Sequence, residues 1–168
     1  MHSVFLALGS NLGNRVENLQ SAVENIIEQI GAIQSVAPLY ETEPWGFNSD
    51  NWFVNTVIEI ETVLKPMGLL NKCMYIETEL GRKRNKTDLG YSSRLIDIDI
   101  LFYDKRIIDL PELVIPHKHL QDRKFVLMPL NDIAPDFMHP LTKQPVNVLL
   151  ENCIDKMELV KIKQTLRF

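Results

Sequence analysis

Two aspartates, Asp97 and Asp99, stand in a stretch that otherwise has the composition of a buried strand, Ser93-Arg94-Leu95-Ile96-Asp97-Ile98-Asp99-Ile100-Leu101-Phe102. Side chains alternate faces along a strand, so both carboxylates project from one face and Ile96, Ile98 and Ile100 from the other. Adjacent like charges are costly unless a cation lies between them, and paired carboxylate oxygens suit a hard ion such as Mg2+. For the pair alone, a one-sided strand with a wet polar face is the better reading. Arg94 and the run Gly81-Arg82-Lys83-Arg84-Asn85-Lys86 shift the balance towards a metal-bound phosphate.

Other chemistries have less support. The turn Gly9-Ser10-Asn11-Leu12-Gly13 invites a phosphate-loop reading, but neither G-x-x-x-x-G-K-[ST] nor G-x-G-x-x-G occurs. His117, His119 and His139 lack the cysteines or the H-E-x-x-H spacing of a zinc site and are expected to be exposed loop histidines. Cys73 and Cys153 lie in apolar surroundings and are expected in the core, with no disulfide. The segment Glu43 to Asn51 carries Trp45 and Phe47 where ordinary connections need no large aromatic, the plainest account being a local hydrophobic latch. Glu77 interrupts an apolar helical stripe, either as a boundary carboxylate reaching water or as a ligand contact.

These residues need a frame. Val4 to Leu8 reads as a buried strand. A helix follows with Asn14 as N-cap, Glu17 three residues on, and a stripe of Val16, Leu19, Val23, Ile26, Ile27 and Ile30 stopped by Gly31. Residues 33–42 suit a strand in which Pro38 marks an edge or a bulge. A third strand, 52–62, puts Phe53, Asn55, Val57, Glu59 and Glu61 on one face. Pro66 opens a second helix with the stripe Leu69, Leu70, Cys73, Ile76, Glu77 and Leu80, ending at Gly81. Residues 82–93 form a mobile loop. The aspartate strand turns at Tyr103-Asp104-Lys105, and residues 106–108 pair back as a hairpin. Extended chain leads through Pro111 and Pro116, a helix runs from Asp122 or Arg123 to Leu130, and a short helix over 146–152 and a strand over 159–162 close the chain. The order β-α-β-β-α-β predicts an α+β, ferredoxin-like split βαβ fold, its antiparallel sheet backed by helices on one face, with an appended hairpin and small helices. The opposite face then carries Phe53, Asn55, Asp97 and Asp99.

The 168 residues fit one domain spanning 1–168. A net charge of −4 argues against general affinity for nucleic acid or anionic membrane. The opening apolar run is too short for a secretory signal and no stretch approaches membrane-spanning length, so a cytoplasmic setting and no membrane partner are expected.

Taken together, Leu8-Gly9-Ser10-Asn11-Leu12-Gly13, Tyr40-Glu41-Thr42, Gly81-Arg82-Lys83-Arg84, the R-x-x-D-x-D-I segment from Arg94, Ile115-Pro116-His117 and Arg123-Lys124-Phe125 resemble the 6-hydroxymethyl-7,8-dihydropterin pyrophosphokinases, in order from Val4 to about Pro135. The resemblance implies transfer of the β,γ-diphosphate of ATP to the hydroxymethyl group of a reduced pterin, releasing AMP, in folate biosynthesis. It also implies the ferredoxin-like fold, two Mg2+ ions on Asp97 and Asp99, and ATP contacts from Glu77, Arg82, Arg84, Arg94, Ile100, His117 and Arg123. Arg82, Arg84 and Arg94 join the aspartates as catalytic groups. For the pterin it implies Phe53 and Phe125 as sandwiching rings, Asn55 as the amide that reads the heterocycle, and main-chain contacts at Thr42 and Trp45. Small-molecule substrates and a monomer are expected, and the cationic loop 82–93 is expected to close on ATP. Phe53 stands where many members carry tyrosine. Gly90-Tyr91-Ser92-Ser93 replaces a Trp-Gly-Pro segment, Met74 a glutamine, and Glu112 and Val114 an arginine and a threonine. The rivals are a metal-dependent phosphohydrolase, using the same aspartates to activate water, and a nucleic-acid-binding module.

Overall fold

In the computed structural model, residues 1–43, 51–81 and 95–168 are described. The sheet is built around β1 (His2–Ser10), whose Val4, Leu6 and Leu8 are almost fully buried. β1 pairs antiparallel with β4 (Phe53–Thr62) on one side and β5 (Asp97–Tyr103) on the other. Beyond β4 the sheet continues through β3 (Tyr40–Thr42) to β8 (Leu159–Lys161), while β2 (Gly31–Val36) pairs the other end of β4. The spatial order β5-β1-β4 with β2 and β3 both on the far side of β4, and β8 added beyond β3, is that of the expected ferredoxin-like α+β fold with an appended strand.

Two helices back one face. α1 (Arg15–Gln29) starts where Asn14 Oδ1 accepts the Glu17 amide at 3.3 Å, as the sequence predicts. α2 (Pro66–Glu79) begins on its proline and is followed by Gly81 in the left-handed region at φ +99°. Leu19, Val23 and Ile26 of α1 and Leu69, Cys73 and Ile76 of α2 pack with Leu6, Leu8, Ile58, Ile98 and Ile100 in one core. On the opposite face, α3 (Lys124–Ile133) and α4 (Val146–Glu151) cover one end, where Val126, Leu127 and Leu149 meet Phe5, Val57, Leu101 and Phe102. The appended small helices thus leave only the other end of that face for a site.

Several local expectations are corrected. The 33–42 strand divides into β2 and β3 around Pro38, which cannot donate to a ladder. Ile27 is 44% exposed and lies off the buried stripe. α1 ends with Ile30 as its cap, directly before Gly31 as expected, but the glycine has a second role. It opens β2, where a Cβ would lie 2.0 Å from the Glu61 carbonyl oxygen. The alternation of β5 breaks at Leu101, where the register against β1 shifts between Phe5 and Leu6, so Leu101 and Phe102 both join the second core. Residues 106–108 do not pair back on β5. Asp104, at φ +47°, turns the chain, with its carboxylate accepting the Ser3 amide at 3.0 Å, and β6 (Ile108–Asp109) pairs instead with β7 (Val114–Ile115). His139 is buried, not exposed. Its Nδ1 accepts from the amides of Leu141 and Thr142, both at 3.2 Å. Both cysteines are buried and free, as expected.

Gly31 and Gly68 make opposite predictions. Gly31→Ala should destabilise by about 1–3 kcal/mol, because the backbone of β4 must move to admit a methyl group. Gly68→Ala, inside α2 with nothing within 4 Å of the added carbon, should stabilise by roughly 0.4–1 kcal/mol. Urea unfolding checks both, and equal midpoints for the two variants would contradict the close approach at Gly31.

Candidate active site

The floor of the site is the open end of β1, where the side chains on that face are only Ala7 and Gly9. Register places Gly9 between Asn55 of β4 and Asp97 of β5, and Ala7 between Val57 and Asp99. A low middle strand between taller neighbours makes a trough about 10 Å across, from two strand spacings. The depth at Gly9 is obligatory, because a Cβ there would sit 2.8 Å from Asn55 Oδ1 and 3.7 Å from Phe53 Cδ1.

One wall comes from β3 and β4. Asn55 is buried, and its Nδ2 donates to Thr42 Oγ1 at 2.7 Å, which fixes the amide with Oδ1 over Gly9. Thr42, itself 1% exposed, therefore contributes its side chain as well as its place on β3. Phe53 lies opposite Thr42 and on the same face of β4 as Asn55. Phe125, half-buried in the first turn of α3, enters the same end of the sheet from above.

The other wall is charged. Asp97 and Asp99 are partly exposed, with Ile98 between them buried in the core. Glu77 is neither a snorkelling boundary residue nor a solvent-facing one. It is 3% exposed, and its Oε1 accepts the Ile98 amide at 2.8 Å on the outer strand of the sheet. The α2 carboxylate thereby holds the backbone midway between the two aspartates. Arg123 is equally buried, with Nη1 3.9 Å from Asp99 Oδ2 and its guanidinium carbon 5.8 Å from the centre of the Phe125 ring. Burial pushes the Arg123 pKa down to about 10, which leaves it a cation at neutral pH.

His117 closes the charged end. Its amide donates to the Leu101 carbonyl at 3.0 Å, and its Nδ1 accepts from the His119 amide at 3.3 Å, which puts the ring proton of the neutral form on Nε2. Burial, reinforced by His119 and opposed by Asp97, pushes its pKa down to about 4. A cleft of 230 Å³ runs along this side, lined by Leu70, Ile98, Asp99, Ile100, Leu113 and His117 among others.

Asp97, Asp99, Arg123, His117, Phe125, Phe53, Asn55 and Thr42 thus gather around one open end of the sheet. Trp45, Arg82, Arg84 and Arg94, like loop 82–93 and its expected closure, lie outside the described residues. Sequence reading missed Gly9 as the spacer under Asn55, although the smallness of Ala7 and Gly9 in an otherwise bulky strand was a signal for it. Among the described residues no group of three or more His, Cys, Asp or Glu side chains could hold a metal. Two neighbouring carboxylates supply the oxygen donors that suit Mg2+, which completes its shell with phosphate and water, better than zinc.

Residues 5–135 match the family model described as 7,8-dihydro-6-hydroxymethylpterin-pyrophosphokinase (HPPK). The chain is 43% identical to the 2-amino-4-hydroxy-6-hydroxymethyldihydropteridine pyrophosphokinase of Porphyromonas gingivalis, over 86% of this chain and 99% of that one. It is 41% identical to the folic acid synthesis protein fol1 of Schizosaccharomyces pombe, over 91% of this chain but only 20% of that protein. Among solved structures it resembles wild-type Plasmodium falciparum HPPK-DHPS crystallised with pteroate, at a TM-score of 0.73 and 18% identity, covering 89% of this chain and 44% of that one. This likeness concerns the fold, and the chain spans under half the length of that solved protein.

The partly buried, neutral His117 predicts an acid-labile fold. With the folded pKa of His117 near 4 and the ordinary value at 6.5, the unfolded chain binds the extra proton first, so stability is full above pH 6.5 and falls as the pH drops towards 4. His139, also lowered by burial, acts with the same sign. His117→Gln should flatten part of the decline in a melting-temperature series from pH 7 to pH 4, and an unchanged slope would contradict the neutral form.

Proposed function

The chain belongs to the 7,8-dihydro-6-hydroxymethylpterin-pyrophosphokinase family, and from that premise we propose a role for each wall of the trough. The reaction is a step of folate biosynthesis, in which the β,γ-diphosphate of ATP passes to the hydroxymethyl group of 6-hydroxymethyl-7,8-dihydropterin and AMP leaves. The observation that carries the assignment is the row Asn55–Gly9–Asp97. It sets an oriented amide and a carboxylate about two strand spacings apart across a floor with no side chain.

The apolar wall takes the pterin. Phe53 and Phe125 offer ring faces to the heterocycle, Asn55 offers its fixed amide to the hydrogen-bonding edge, and Thr42 holds that amide, with Trp45 completing the contact. The hydroxymethyl arm then points along Gly9 towards Asp97. The charged wall takes ATP. Asp99, Ile100 and His117 line the cleft beside it, Arg123 presents a buried cation, and Glu77 acts through the Ile98 amide between the aspartates. Arg82, Arg84 and Arg94 supply further charge to the phosphates.

Transfer forms a bond from the hydroxymethyl oxygen to the β-phosphorus as the hydroxyl proton is lost to water, breaks the bond from that phosphorus to the oxygen bridging the α-phosphate, and leaves the electron pair on AMP. Such a reaction asks the protein for alignment and charge neutralisation, not a covalent nucleophile. Asp97 and Asp99 would hold Mg2+, two ions being proposed, and the bound metal would neutralise charge on the transferring group. His117, neutral at pH 7, can donate from Nε2 to a phosphate oxygen without adding charge. The proposed setting is one catalytic domain over 1–168, a cytoplasmic monomer acting on small molecules, with no nucleic-acid or membrane partner. The net charge of −4 and the pairing of β8 onto β3 support it. Among the described residues no helix is long and apolar enough to cross a membrane.

The deciding experiment incubates the protein with Mg2+ and ATP, with and without the hydroxymethyl-dihydropterin. AMP should appear only with the pterin, whereas phosphate release without it would favour a hydrolase. Asp97→Asn and Asp99→Asn should each slow turnover by roughly 100-fold or more at unchanged melting temperature. Phe53→Ala and Phe125→Ala should weaken pterin binding roughly tenfold to a hundredfold, with ATP binding preserved. Asn55→Ala should weaken the cognate pterin while barely touching a flat aromatic that lacks its hydrogen-bonding edge.

A further inference from the structure

The two sides of the proposed pterin slot come from separate parts of the chain. Thr42, Phe53 and Asn55 belong to β3 and β4, whereas Arg123 and Phe125 sit at the start of α3. A short side-chain hydrogen bond joins the two sides. Tyr40 is 7% exposed, lies directly opposite Asn55 in the β3–β4 register and, two residues before Thr42, shares its face. The Tyr40 hydroxyl donates to Asp132 Oδ2 at 2.6 Å, near the end of α3. Burial, then the hydrogen bond and charge of Asp132, raise the Tyr40 pKa, so the hydroxyl remains a donor throughout the working range of pH.

At its other end α3 is tied to the segment leading into β8. The Lys124 amide donates to Asp155 Oδ2 at 3.0 Å and Lys124 Nζ to the Met157 carbonyl at 3.2 Å. β8 in turn pairs with β3, Lys161 opposite Tyr40. The ten residues of α3 therefore span about 15 Å between two attachments that both lead back to β3. With Lys124 holding one end and Tyr40–Asp132 the other, the two attachments together with the buried face of α3 set the height of the helix over the Asn55 side of the sheet, and with it the room left beside Phe125.

We infer that the Tyr40–Asp132 hydrogen bond is a positioning device for the pterin, setting the spacing between the Asn55 wall and Phe125 without touching the substrate. The inference rests on the reading of Asn55 and Phe125 as pterin contacts. It differs from a general structural strut in what it predicts: loss of the bond should weaken pterin affinity at temperatures where the fold is intact, and by more than it weakens affinity for the nucleotide, which meets α3 through Arg123.

The test is a double-mutant cycle read by calorimetry, with the hydroxymethyl-dihydropterin titrated into protein saturated with a non-hydrolysable ATP analogue. Tyr40→Phe and Asp132→Ala should each weaken pterin binding about threefold to tenfold, the worth of one hydrogen bond. The double variant should be no worse than either single one, because both remove the same contact. Asp132→Asn, which keeps an oxygen acceptor, should stay close to wild type. The far-ultraviolet circular dichroism should be unchanged in all four, and in each variant that loses the bond affinity for the ATP analogue should fall less than affinity for the pterin. Wild-type pterin affinity in Tyr40→Phe and Asp132→Ala, or losses that simply add, would overturn the inference, as would equal losses for pterin and nucleotide. Should Tyr40→Phe fold poorly, the exposed end of the bond is still tested by Asp132→Ala against Asp132→Asn. Phe125→Ala in the same titration separates the two levels: if it too binds normally, the slot reading has failed, and if it binds weakly while the cycle is flat, the positioning role alone has failed.

Discussion

The site depends on a close approach at one backbone position. Asn55 can lie over β1 only because Gly9 has no Cβ to meet its oxygen at 2.8 Å, and Asp97 faces the same residue from the other side. The central strand is thus large on its core face, with Val4, Leu6 and Leu8, and beyond Phe5 almost bare on the other, with Ala7 and Gly9. Two unlike chemistries, a hydrogen-bonding amide with aromatic rings and a pair of carboxylates, can then face each other across the floor without a side chain between them.

Charge is distributed so that the aspartates stay useful. Arg123 is buried but still cationic, and stands 3.9 Å from Asp99, near enough for attraction and too far for a tight bidentate pair. His117 is held neutral beside them. Glu77, a third carboxylate within the region, is directed into a backbone amide, where hydrogen bonding to the strand offsets its burial. The arrangement keeps the two aspartate side chains partly exposed at the mouth of the trough, on a strand that is otherwise buried.

The fold was legible in the sequence because its signals are local and periodic. The Asn14 cap, the α2 proline, the apolar stripes and the alternation of β4 all act within a few residues, and each appears where the pattern places it. The Asp97/Asp99 pair was legible for the same reason. What was not legible depends on partners distant in the chain. That Gly31 must also admit the backbone of Glu61 shows only once the strands are paired. The break at Leu101 is set by register against β1, and Asp104 leaves β5 because Ser3 is there to bond it. Glu77 and His139 were misjudged because burial of a polar side chain depends on whether a backbone amide is in reach. Thr42 and Phe125 were reached through resemblance, since nothing in their own neighbourhood in the chain marks them.

β5 is the last strand of its sheet, and such strands ordinarily offer a row of unpaired amides and carbonyls to any other extended chain. Here the Ile98 amide is taken by Glu77 and the Leu101 carbonyl by His117. The contacts that shape the charged wall therefore also block strand addition by a neighbouring molecule. At the high local concentrations of a crowded cell, that blockade would keep the aspartate wall open to solvent where self-association along β5 would bury it.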